Sequence, residues 1–218
     1  MTHTQDSSHA GPSRIGQRLH LELDAAKRQL EGIAPLVTIY GGARVTPADP
    51  YYDATTRLAR NLSARGIAVM SGGGPGIMEA ANKGAKAGEQ GLSIGLNITL
   101  AQEQRPNAYQ HIELSFEHFS SRKTTFCKYS DAFVVMPGGF GTLDELFEVL
   151  TLVQTGKSRA APVILYGREF WQGLVTWMQD VMVTRGLVSR VEMKLFEVVD
   201  TVDDALRLCE QALQAQPA

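Results

Sequence analysis

A chain of 218 residues and 23.8 kDa holds one large domain or two small ones, and folding at that length buries enough surface to need no disulfide or metal staple. Its 21 basic and 23 acidic residues leave a net charge of -2, which argues against a nucleic-acid binder driven by bulk positive charge. Two cysteines without paired Cys/His spacing exclude a disulfide scaffold, argue against a zinc site and point to a reducing, cytoplasmic compartment.

Residues 1–13 are polar, lack the apolar segment of a secretory signal, and read as a disordered tail. A leading helix follows, with Leu19, Leu23, Ala26 and Leu30 at helical spacing. Then a grammar repeats: a short apolar run ends in glycine, and a helical stretch follows. The runs are 36–40, 67–70, 92–98, 111–116, 132–136, 163–166 and 195–199. The helical patterns are 50–65, 76–88, 118–130, 142–155, 169–184 and 201–213. No apolar run reaches the ~18 residues that cross a bilayer, so no membrane partner is expected.

Continuous apolar runs indicate strands buried on both faces, and strands alternating with helices indicate a parallel sheet. The expectation is one Rossmann-like α/β domain over 14–218, three-layered, with a mostly parallel sheet of about seven strands. Ligands of such sheets bind beyond the carboxyl ends of the strands. Gly41-Gly42, the glycines of 72–76 and those of 137–141 all fall on that rim.

The strongest stretch is Pro137-Gly138-Gly139-Phe140-Gly141-Thr142-Leu143-Asp144-Glu145. A buried strand stops, glycines turn the chain and a helix begins at Thr142. Free N–H groups and the positive end of a helix dipole suit a phosphate. The bland alternative is a capping box, in which Glu145 only serves the helix start at Thr142. Gly72-Gly73-Gly74-Pro75-Gly76 also opens a helix, yet lacks the Lys-Ser/Thr of a triphosphate loop; a tight turn for helix–strand packing is its alternative. In Phe119-Ser120-Ser121-Arg122-Lys123-Thr124-Thr125-Phe126 the two phenylalanines mark a buried side, with Arg122 and Lys123 on its flanks. Cations there need an anion nearby, unless their stems snorkel and leave the heads in water. The five histidines are scattered and take no role. Asp144, Glu145 and Glu148 read as dipole partners of a first helical turn rather than metal ligands.

In order and spacing, the glycine loop with Ile77-Met78, the Arg122-Lys123 pair and the 137–145 signature resemble the LOG ("Lonely guy") phosphoribohydrolases, long labelled lysine decarboxylase-like. The resemblance covers roughly 34–213. It implies hydrolysis of the N-glycosidic bond of a nucleoside 5′-monophosphate, a cytokinin riboside monophosphate or AMP, to free base and ribose 5-phosphate. It implies no cofactor and a homo-oligomer. Amino-acid decarboxylation normally needs a pyridoxal cofactor on a lysine, and no lysine here has a setting for one. By this resemblance Arg122 and Glu145 are catalytic. Gly138, Gly139, Gly141 and Thr142 hold the phosphate. Gly73, Gly74, Gly76, Met78, Glu103, Lys123 and Thr151 complete the substrate site. The segment 97–109 resembles a bacterial subgroup and is expected to build part of the base pocket. The rival class is a carrier that binds a nucleotide-like cofactor without cleaving it.

Overall fold

The computed structural model describes residues 13–100, 105–159 and 161–214. The expected tail therefore lies, apart from Ser13, outside the described residues, and so does Glu103.

Helix α1 (Arg14–Leu30) starts where the Ser13 hydroxyl accepts the Gly16 N–H, 3.1 Å away. Seven strands follow: β1 (Leu36–Tyr40), β2 (Ala68–Ser71), β3 (Ser93–Ile98), β4 (Ile112–Phe116), β5 (Ala132–Val135), β6 (Val163–Tyr166) and β7 (Phe196–Val199). They form one sheet in the order β4-β3-β2-β1-β5-β6-β7, with every pairing parallel. The central strands are buried along their whole length, which is why their sequences run apolar without alternation.

Two apolar layers sandwich the sheet. On one face α2 (Pro50–Ser63), α3 (Ile77–Gly88) and α7 (Val202–Gln214) pack Leu58, Ala81 and Leu206 against Val37, Ile39 and Val134. On the other, α1, α4 (Phe119–Tyr129), α5 (Phe140–Gln154) and α6 (Arg168–Trp177) pack Leu30, Phe126, Leu146 and Trp171 against Leu36, Tyr40 and Phe133. Each buried Leu, Ile, Val or Phe among them contributes about 1.5–3 kcal/mol. The pattern expected over 169–184 divides into α6 and a π-helical segment, Met178–Val183.

Chain order reverses between β1 and β5. The crevice at such a switch point is where the loops after neighbouring strands diverge, and it is the ligand position of open α/β sheets. The loops after β1, β2 and β5 carry the three glycine clusters to that crevice.

Candidate active site

The glycine loops are laced together. The Gly42 N–H donates to the Pro137 carbonyl at 2.9 Å, and the Ile77 N–H donates to the Gly42 carbonyl at 3.1 Å. At Gly138, a β-carbon would lie 2.2 Å from Thr142 Oγ1 and 2.9 Å from Gly42 N, so only glycine lets the loops close up. At Gly76 the φ of 68° is left-handed, and a β-carbon would meet the Gly42 carbonyl at 2.4 Å. The three loops thus form one ledge.

Helix α5 begins at Phe140, two residues before the expected Thr142. Gly139 is its N-cap, and no side chain caps it. The capping-box reading fails for this reason: Glu145 lies in the second turn and faces Arg122 instead. The uncapped end keeps its N–H donors and its positive dipole turned to the crevice.

Above the ledge is a cavity of about 670 Å³, lined by Gly72, Met78, Arg122, Gly138, Gly139, Gly141, Thr142 and Glu145 among others. Arg122 Nη2 lies 3.3 Å from Glu145 Oε1, with side chains 8% and 15% exposed. The guanidinium sits over the Phe126 ring, 5.4 Å from its centroid, and against Gly72, where a β-carbon would come within 2.6 Å of Nη2. Its buried Nε has no hydrogen-bond partner among the described residues.

Burial pushes the Glu145 carboxyl up to about 7, although Arg122 pulls the other way. Burial likewise lowers the Arg122 pKa from its ordinary value, against the opposing field of Glu145. A carboxyl poised near neutrality beside a buried cation is a setting for proton transfer or for stabilising developing positive charge. Beneath the pair, Tyr40 closes the end of β1, its phenol held well above the ordinary range by burial and by the Glu145 charge.

Other expected site residues fall elsewhere. Gly73, Gly74 and Gly76 do not line this cavity; Gly72 and Met78 do. Gly73 and Gly74 instead serve as acceptors. Asn107 Nδ2 lies 2.9 Å from the Gly73 carbonyl, 3.0 Å from that of Gly74 and 2.9 Å from Asn82 Oδ1. Gln110 Nε2 adds a bond to Gly73 at 2.9 Å. Asn107 and Gln110 therefore brace the first glycine loop, while Ile98 and Leu100 reach the cavity. Lys123 turns away from the cavity, to Asp144 at 3.1 Å and Glu148 at 2.6 Å. Burial opposes its charge, but those carboxylates outweigh it and raise its pKa. With Thr151, whose hydroxyl donates to the Phe147 carbonyl, Lys123 lines a shallow hollow on the outer face of α5. Phe126 is buried as expected, whereas Phe119 is 54% exposed and lines the cavity.

Arg44 and Tyr51 also line the cavity and escaped sequence reasoning. The only signal for Arg44 was its place just after Gly41-Gly42. Among the described residues no three His, Cys, Asp or Glu side chains gather as a metal-ligand set. No helix there is long and apolar enough to cross a membrane.

The family described as "Possible lysine decarboxylase" matches residues 78–209. A cytokinin riboside 5′-monophosphate phosphoribohydrolase of Mycobacterium marinum is 32% identical over 149 residues, 68% of this chain and 79% of that protein. One of the same name from Mycobacterium tuberculosis is 30% identical over 174 residues, 79% of this chain and 92% of that one. Among solved structures, the molybdenum cofactor carrier protein of Chlamydomonas reinhardtii shares the fold with a TM-score of 0.63. Its identity is 21%, covering 83% of this chain and 98% of that one.

Proposed function

Because the chain belongs to the LOG family, the group described as possible lysine decarboxylases, we propose that it hydrolyses the N-glycosidic bond of nucleoside 5′-monophosphates. The substrate is a cytokinin riboside monophosphate or AMP, and the products are free base and ribose 5-phosphate. The observation that carries this reading is the buried Arg122–Glu145 pair, 3.3 Å apart on the wall of a cavity floored by an uncapped helix N-terminus. Cradling a phosphate explains the floor but not the pair.

In this reading the phosphate rests on Gly138, Gly139, Gly141 and Thr142. That supplies binding energy remote from the reacting bond. Glu145, one turn further along α5, faces the anomeric carbon. Ionised, it stabilises the oxocarbenium-like charge or takes a proton from the attacking water. The base departs with the bonding electrons and gains a proton. Arg122 orients the ribose or base and favours the ionised form of Glu145. Met78, with Ile98 and Phe119, supplies apolar wall for the base.

One domain over 14–218 carries this activity, in a reducing compartment; both cysteines of the chain are free thiols. The chain works as a homo-oligomer. Phe140 is 92% exposed beside the phosphate ledge, and Leu143, Phe147 and Leu152 line the hollow on α5 with Lys123 and Thr151. A second copy seated there would bring the last two into a shared interface next to the site.

Incubation with AMP, isopentenyladenosine monophosphate, GMP and CMP, and separately with adenosine, followed by chromatography, tests the reaction. Base released from monophosphates but not from adenosine is expected. AMP binding without release of any base would replace the hydrolase with a carrier of nucleotide-like ligands, and Glu145 would then be a structural partner of Arg122.

A further inference from the structure

Helix α1 lies outside the residues matched by the family, yet it grips the turn that starts the helix bearing Arg122. Glu22 is only 8% exposed. One of its carboxylate oxygens accepts the Glu117 N–H at 2.8 Å and lies 3.4 Å from His118 Nδ1. The other accepts the Ser121 hydroxyl. Arg18, one turn earlier on α1, pairs with the Glu117 side chain. Helix α4 has no side-chain N-cap and no acidic residue in its own first turn. The carboxylate beside its start comes from another helix, and it holds the Glu117 N–H ahead of α4 and the Ser121 hydroxyl in its first turn. Phe119 and Arg122, on either side of the clamped Ser121, both line the cavity.

Docking α1 does not require this charge. Ala26 and Leu30 already bury α1 in the apolar layer, and an apolar residue at position 22 would extend that contact. A buried carboxylate is a costly substitute unless its bonds fix a geometry. What they fix is the first turn of α4, and with it the reach of Arg122 to Glu145.

We propose that Glu22 is a positioning residue for the Arg122–Glu145 pair, a role that rests on the phosphoribohydrolase reading. It touches no substrate. It holds the Glu117–Ser121 turn so that the guanidinium arrives in register with the carboxylate. Misplacement of a catalytic group by an ångström costs on the order of 100-fold in rate.

The test is a double-mutant cycle in the full chain, with AMP hydrolysis and ligand affinity as readouts. Glu22→Ala is expected to lower kcat by about tenfold or more, while ribose 5-phosphate, held by the glycine ledge, binds within about twofold of wild type. In an Arg122→Ala background, Glu22→Ala should change AMP affinity and residual rate by less than about twofold, since the group it positions is gone. Glu22→Gln should restore most of the rate, because its carbonyl can still accept from Glu117 and its amide can bond Ser121. A lowered Tm with unchanged kcat and KM would overturn the proposal, as would equal losses in both backgrounds. If Glu22→Ala does not fold, Ser121→Ala takes its place in the same cycle. If the wild-type chain releases no base, the hydrolase reading fails on that result. Positioning is then judged on AMP affinity alone: Glu22→Ala must weaken it as Arg122→Ala does, and unchanged affinity overturns it.

Discussion

Arg122 and Glu145 meet from two helices, α4 and α5, that precede and follow β5, and both side chains are largely withdrawn from water. Each is the other's main compensation for burial. Removing one leaves the partner as an uncompensated charge. Glu145→Gln is expected to reduce base release at least 1000-fold, the scale of losing both charge stabilisation and a proton acceptor. Ribose 5-phosphate affinity should stay within about threefold, since the ledge is intact. Arg122→Ala should raise KM and lower kcat together. Base release that persists in Glu145→Gln removes the catalytic role, and unchanged kinetics in Arg122→Ala reduces that residue to an ion-pair partner.

The raised Glu145 carboxyl has a consequence for stability. Between its ordinary 4.5 and about 7, the folded protein holds a proton that the unfolded chain has released. Stability therefore falls as pH rises through that window and levels off above it, by up to about 3 kcal/mol. Glu145→Gln lacks the titration. Its Tm should gain on wild type from pH 5 to about 7 and run parallel above. Parallel curves throughout would mean that Glu145 is ionised across the range.

Adjacent glycines of the ledge should respond differently. A methyl at Gly138 meets Thr142 and Gly42, whereas one at Gly139 meets nothing within 4 Å. Gly138→Ala is expected to raise KM for AMP more than tenfold and to lower Tm by several degrees. Gly139→Ala should leave Tm nearly unchanged. Equal Tm losses in the two variants would mean that the loops are not interlocked.

Asn107 braces the first glycine loop through bonds to Gly73, Gly74 and Asn82. Asn107→Ala removes the bond to the Gly74 carbonyl, while Gln110 still serves Gly73 and Ser71 still serves Asn82. One stranded acceptor costs about 1–3 kcal/mol, which for a chain of this size means a fall in Tm of roughly 2–12 °C. Thermal unfolding checks this, and a loss of 1 °C or less would show the brace to be redundant.

The apolar outer face of α5 predicts self-association. Light scattering should give a mass at least twice 23.8 kDa, and Phe147→Glu should shift it downward. A stable wild-type monomer at that mass removes the homo-oligomer.

Much of the architecture was legible along the chain. A strand buried on both faces must be apolar without interruption, and a glycine must follow where the backbone turns tightly into a helix. All seven strands and their alternation with helices were visible for that reason. The residue types of the site were visible too, because 137–145 is a long and unusual run. Thr142 misled: as a good capping residue it suggested where α5 starts, but its hydroxyl packs against Gly138 and the helix opens two residues earlier. Phe119 misled in the same way, since its spacing from Phe126 matched a buried stripe and it faces the cavity instead.

Periodicity records which side chains can be withdrawn from water, and that depends on the residue alone. Which polar group a withdrawn side chain meets depends on how elements distant in sequence are set against one another. So the sheet and the glycine rim could be read from the order of residues, and the candidate pair of Arg122 and Glu145 from the family resemblance that those residues carry. The bond between that pair, the turning of Lys123 to Asp144 and Glu148, the brace from Asn107, and the carboxylate that Glu22 lends to α4 could not. Each joins side chains that only the packed sheet and its crossing helices bring within hydrogen-bond distance.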